Sequence, residues 1–191
     1  ALPSRPLAED RAAGLEVVAR SPLGEPGVLT VESDLTNTAA EGEPVDVGAL
    51  RAVLPLPTRA DEVLDLTGRW CRERAPQRRP LTDGTWVRTG RRGRTGHDAT
   101  LLMAAGTTGF GFRSGEVWAT HVAWSGNHEH LVERLPEGAG AHAAVLGGGE
   151  ALTPGEVRLA PGETYRAPSV VFVHSTEGLD GITRALVHHQ R

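Results

Sequence analysis

The residues Trp124–Asn127 put an indole, a hydroxyl and a carboxamide on one Ser-Gly-Asn turn. They close the apolar stretch Ser114–Trp124, which reads as one strand interrupted only at Gly115. An indole at a strand end can pack its ring and still offer its N–H. Sugar sites are built this way, and so are ordinary sandwich corners; on physics alone the corner is the default. Asn127 carries extra weight because the chain has only one other Asn, Asn37. Trp124, Ser125 and Asn127 are therefore the candidate pocket residues.

Other chemistries have less support. His128 and His130 flank Glu129, and in an extended segment the two imidazoles point the same way and could share an ion. A catalytic zinc site needs a third protein ligand, for which His97, His121 and His142 are available but unplaced. A polar strand rim is the default, and no metal is expected. No two carboxylates stand out as the acid and nucleophile of a glycosidase. Ser125 lacks the Gly-x-Ser-x-Gly elbow, and Gly109–Arg113 lacks the spacing and Lys of a phosphate loop. Arg72 and Glu73 could brace a site through a charge network; as plain structure, Arg69–Arg74 is a strand with alternating Arg.

These candidates need a scaffold. In Ser114–Trp124 the alternation places Val117, Ala119, His121 and Ala123 on one face, and Trp118, Thr120, Val122 and Trp124 on the other. Neither face is strongly polar, so the strand is expected to be covered on both sides. Further strands are expected at Leu15–Ala19, Val28–Thr36, Val45–Leu54, Asp61–Leu66, Trp86–Thr89, Ala99–Ala104, His130–Leu135, Ala141–Leu146, Glu156–Leu159 and Tyr165–His174. The second and third of these, joined by a polar turn, suggest an antiparallel hairpin. Pro136–Gly140 signals another, and Gly147–Gly149 a turn. From Gly178 onward the period becomes helical, with Leu179, Ile182 and Leu186 on one side. Short strands with frequent turn signals predict an all-β fold, a large antiparallel sandwich or a barrel, ending in one helix.

Composition narrows the class further. The apolar and charged fractions are those of a soluble globular protein, and no run approaches the roughly 18 apolar residues of a membrane span. A lone Cys71 forbids an internal disulfide and any cysteine-built metal framework. All 20 basic residues are Arg. Nine of them fall between Arg69 and Arg94 against only Glu73 and Asp83, a local charge of +7, while the rest of the chain carries −11. Such asymmetry can serve a polyanion. The Arg residues alternate with Pro and Gly and no recognition motif accompanies them, so a solvated surface or contact with an acidic part of a larger protein is the default, and no nucleic acid is expected.

Several stretches then combine in one order: Gly68–Arg74, Gly93–Asp98, Gly115–Trp118, Trp124–Asn127, Leu152–Glu156, Leu159–Glu163, Ala167–Pro168, Ser175–Asp180 and Leu186–Arg191. From about Val28 to Arg191 the chain resembles the N-terminal domain of bacterial α-galactosidases of glycoside hydrolase family 36. The resemblance implies a β-supersandwich of galactose-mutarotase-like shape over residues 1–177, with an earlier part of the domain missing, and a linker helix over 178–191. It implies a (β/α)8 barrel beyond that helix, carrying both catalytic aspartates for retaining hydrolysis of terminal α-galactosides such as melibiose and raffinose. No catalytic residue is then expected in this chain, and no cofactor. The expected partners are the chain's own barrel, galactosides and a possible second subunit. Trp124, Ser125 and Asn127 are the pocket candidates in what remains, with Arg72 and Glu73 behind them. A cytoplasmic location is expected. The alternative is a stand-alone carbohydrate-binding β-sandwich.

Overall fold

The computed structural model describes residues 6–24, 27–99, 102–136 and 143–191 (for 6 and 7 the backbone only). Among them the chain forms sixteen strands and one helix. The larger sheet runs in the order β1 (Pro6–Asp10), β2 (Leu15–Arg20), β4 (Val28–Asn37), β16 (Val170–Ser175), β11 (Val117–Val122), β10 (Met103–Gly106), β7 (Glu62–Arg69) and β8 (Arg72–Pro80). Two short strands, β3 (Leu23–Gly24) and β15 (Thr164–Arg166), also pair with β4. A second sheet has the order β6 (Arg51–Leu56), β13 (Ala144–Glu150), β12 (His128–Arg134) and β9 (Gly84–Gly90). A small ribbon joins β5 (Val45–Asp46) to β14 (Arg158–Leu159), and α1 spans Gly178–His189. Every pairing is antiparallel, and the architecture is the expected all-β supersandwich.

Strand β11 lies inside the larger sheet and is covered on both faces, as its alternation predicts. Val117 and Ala119 pack with Val171 and Val173 of β16 and Ala104 of β10 beneath Ile182 and Ala185 of α1. The opposite face of the same sheet meets the second sheet. There Val63 and Met103 pack on Val132, Ala144 and Leu146 with Trp118 alongside, and Val122 joins Val31, Val170 and Phe172. Period two on the strands and period 3.6 on the helix thus build two cores sharing one sheet.

Helix α1 is fastened at its start by main chain. Glu177, at the N-cap, makes no side-chain cap bond. Instead the N–H groups of Gly178, Leu179 and Asp180 donate to the carbonyls of Gly115, Gly111 and Phe112 at 2.8–3.0 Å. The donors that a helix leaves open are thereby satisfied by the loop that feeds β11. Burying Ile182 beneath the helix adds about 1.5–3 kcal/mol.

Several expectations need correction. Val28–Thr36 and Val45–Leu54 do not form a hairpin: β4 stays in the larger sheet, whereas the following segment supplies β5 and then β6 on the second sheet. A polar turn gives proximity in sequence, but the two edges of β4 are held by β2 and β16 as its sheet neighbours. Tyr165–His174 is two strands, β15 and β16, broken at 167–169 around Pro168. Ser114–Trp124 is regular only over Val117–Val122. Ala99–Ala104 shifts to Met103–Gly106, with 100–101 outside the described residues. The hairpin of β12 and β13 forms, its turn at 137–142 lying outside them too.

Gly147–Gly149 is not a turn but the middle of β13, between β6 and β12. Its glycines are there for closeness. A Cβ on Gly147 would sit 2.0 Å from the Ala52 carbonyl oxygen, and one on Gly148 2.9 Å from Val122 Cγ2 of the facing sheet. Gly147→Ala should therefore lower stability in urea unfolding by at least ~2 kcal/mol. Gly48→Ala, where a Cβ meets nothing within 4 Å, should stay within about 0.5 kcal/mol of the parent.

Candidate functional site

Register brings three loops to one edge. Asp65, Met103 and Thr120 align across β7, β10 and β11, so β7 and β11 leave the sheet in the same direction. In the second sheet His128 is paired with Gly90, which puts the end of β9 beside the turn before β12. The β7–β8 hairpin tip, loop 91–98 and the Trp124–Asn127 turn therefore form a common rim.

The hairpin tip is unusual. Register slips between Thr67 and Arg69, and Gly68 has φ 153°; a Cβ there would fall 2.2 Å from the Arg72 carbonyl oxygen. Arg69 pairs with Arg72 across the two-residue turn Trp70–Cys71. Cys71 and Arg74, at φ 63° and 56°, are the two positive-φ residues other than glycine among the described residues. This geometry lets the Glu73 carboxylate accept the Cys71 N–H at 3.0 Å. Its own backbone N–H and that of Cys71 hold the Glu73 carboxyl below the usual range. Trp70 projects from the tip with 76 % of its surface exposed and meets the His97 ring edge-on at 6.3 Å.

Loop 91–98 links the tip to the turn. Arg92 Nε is 2.9 Å from Asp98 Oδ2. Burial raises the Asp98 pKa, but the Arg92 hydrogen bond and the loop's backbone outweigh it and leave it lowered. On one side the Asp98 carbonyl accepts the Thr67 hydroxyl at 3.1 Å. On the other, the Gly93 N–H donates to Asn127 Oδ1 at 2.8 Å, while the Asn127 carbonyl accepts the Ala151 N–H. The Trp124 indole folds back over Gly126, where an added Cβ would lie 2.5 Å from Nε1. Even so, Trp124 keeps 43 % of its surface exposed, and Ser125 is exposed beside it.

The structure thus brings all five candidates to one rim. Asn127 spends its carboxamide oxygen on positioning Gly93. Arg69–Arg74 is not one strand but the end of β7, the turn Trp70–Cys71 and the start of β8, and the Arg72–Glu73 network is absent among the described residues: Glu73 holds the Cys71 N–H, and Arg72 makes no ion pair there. Trp70 and Gly93 were not singled out in the sequence as site residues, and His97 was named only as an available third metal ligand. Gly68 ahead of Trp70–Cys71 is a turn signal that the alternating Arg pattern obscured.

His128 and His130 do share a face, but it is the inner one. Both are buried, with ring centroids 5.6 Å apart, and burial pushes His130 down to about 3, with the charges of His128 and His121 adding to the effect. His128 Nδ1 lies 3.0 Å from the Gly126 carbonyl, and Glu129 on the other face pairs with Arg51. His97 sits in the rim, and His142 lies outside the described residues. Among the described residues no three metal-ligating side chains converge.

The architecture is an antiparallel β-supersandwich with two exposed indoles and a braced loop on one edge. Residues 5–160 match the glycosyl hydrolase family 36 N-terminal domain, and the chain belongs to that family. It is 39 % identical over 181 residues to an α-galactosidase of Escherichia coli, covering 94 % of this chain and 25 % of that protein. A solved structure of a variant of the Geobacillus stearothermophilus α-galactosidase AgaA, in complex with raffinose, superposes with TM-score 0.80 at 28 % identity, over 92 % of this chain and 24 % of that one. An α-galactosidase from Lactobacillus brevis shares the fold at TM-score 0.81 and 21 % identity, over 94 % and 24 % of the two chains. The chain thus spans about a quarter of these relatives. The match begins at residue 5, well before Val28, from which the sequence resemblance was read.

His130 gives a pH test. Unfolded, it titrates near 6.5; folded, near 3. Its neutral form stabilises the fold above the unfolded value, and that contribution drains away as pH falls from 6.5 towards 3. Unfolding free energy measured between about pH 6.5 and 5 should fall less steeply in His130→Leu than in the parent.

Proposed function

We propose that this chain is the non-catalytic N-terminal domain of a retaining α-galactosidase acting on terminal α-galactosides of the melibiose and raffinose type. The observation that carries this reading is the match to the family 36 N-terminal domain together with the E. coli relative, of which the chain corresponds to 25 %. The rim chemistry agrees with it. Indoles and braced loops can hold a sugar, but no base is hydrogen-bonded to Ser125 among the described residues, and the rim acids Glu73 and Asp98 are committed to backbone and to Arg92. A retaining glycosidase needs two carboxyl groups about 5–5.5 Å apart on either side of the bond to be cleaved. In this proposal those carboxylates lie in a (β/α)8 barrel of the longer protein, which is the domain's principal partner. A homo-oligomer and a cytoplasmic location complete the proposal.

The two exposed indoles favour one further reading, a stand-alone carbohydrate-binding module. Assay of an aryl α-galactoside separates the two. The chain alone should show no turnover, while the longer protein should hydrolyse the substrate. Trp124→Ala in the longer protein should raise KM about tenfold with kcat nearly unchanged, as loss of uniform sugar binding requires. Turnover by the pure 191-residue chain would overturn the proposal. Saturable galactoside binding by a protein that ends with this domain would favour the module.

A further inference from the structure

The arginines are not distributed like ordinary surface charge. Outside the rim, those at positions 11, 20, 51, 59, 78, 88, 113, 134, 158, 166 and 184 each meet a carboxylate. Arg79 lies 3.5 Å over the Trp86 ring, and Arg191 is the last residue. On the rim the pattern reverses. Arg92 alone is ion-paired, and Arg69, Arg72, Arg74, Arg91 and Arg94 are exposed and meet no carboxylate among the described residues. In a chain with 24 acids and a net charge of −4, five unneutralised guanidinium groups on two adjoining loops form a concentrated positive field. The exposed ring of Trp70 stands within that field, and Trp124 borders it.

We infer that this rim receives anionic galactosides, namely oligosaccharides carrying sulfate or uronate groups. The inference rests on the reading of the chain as part of a galactoside-acting enzyme. A guanidinium fork matches the paired oxygens of a sulfate or carboxylate, and an indole face packs against the apolar face of a sugar ring. A short anionic sugar touches the rim alone. A long nucleic acid would also run past the rest of the chain, whose sequence outside Arg69–Arg94 carries −11 and would repel it. Cys71 and Arg74 hold left-handed backbone at the tip, and the Gly93–Asn127 bond holds the second loop in place.

Titration calorimetry of the chain with a sulfated galactan tetrasaccharide and its desulfated counterpart tests this, at about 20 mM and about 300 mM salt. The sulfated sugar should bind at least ~10-fold tighter at low salt, and the preference should collapse at high salt. The double variant Arg72→Gln with Arg94→Gln should lose the preference and keep the parent's thermal midpoint, because neither side chain is ion-paired in the fold. Trp70→Ala should weaken both sugars together. Equal affinity for the two sugars, or a preference that survives in the double variant, would overturn the inference. So would tighter binding of a single-stranded DNA of equal charge. If the neutral sugar binds as well as the sulfated one, the inference falls while the galactosidase reading stands. Hydrolysis of a neutral aryl α-galactoside by the longer protein tests that reading separately.

Discussion

The fold depends on one strand being dry on both sides. β11 is a central strand of the larger sheet, with α1 over one face and the second sheet over the other. Its backbone donors and acceptors are taken by β10 and β16, so its side chains alone decide what can lie above and below. Val117 and Ala119 demand an apolar cover, and the helix supplies it; Trp118 and Val122 demand another, and the second sheet supplies that. Each core buries apolar surface at about 25 cal/mol per Å², and neither forms without the strand they share.

The candidate site follows from where that strand ends. Both neighbours of β10 leave the sheet in the same direction, so register delivers the hairpin tip and the Trp124 turn to one edge. Loop 91–98 then supplies the contacts: Thr67 to Asp98, Trp70 to His97, and Gly93 to Asn127. The opposite end of β11 is handled differently. Glu116 accepts both Arg59 and His174, its carboxyl held down to about 2 chiefly by the Arg59 hydrogen bond, and Trp118 stacks on His174 at 5.2 Å. Charges there close on one another, whereas the candidate rim leaves Arg69, Arg72, Arg74, Arg91 and Arg94 open among the described residues.

The fold class and the start of the helix could be read from residue period alone, because two-residue and 3.6-residue repeats report local burial directly; the helix itself ends at His189, two residues before the expected end. Pairing partners could not. The polar turn after β4 looked like a hairpin, and only the competition of β2 and β16 for its edges shows otherwise. Gly147–Gly149 looked like a turn because glycine marks both turns and close approach, and the distinction lies in the neighbouring strand. At the site, Trp124 and Asn127 were visible as an aromatic and a rare Asn at a strand end. The role of Asn127 was not, since its acceptor duty depends on Gly93, 34 residues earlier in the chain. Trp70 hid inside an Arg-rich run whose alternation imitated a strand.

Native-state hydrogen exchange tests the central claim, that the buried strand and the candidate rim are one mechanical unit. The amides of β11 should exchange only through global unfolding, and the Gly93 amide should be slowed with them because Asn127 holds it. A Gly93 amide exchanging at the rate of an unstructured peptide beside a protected β11 would contradict the account. The rim would then be a set of separate loops, not a surface built by the sheet.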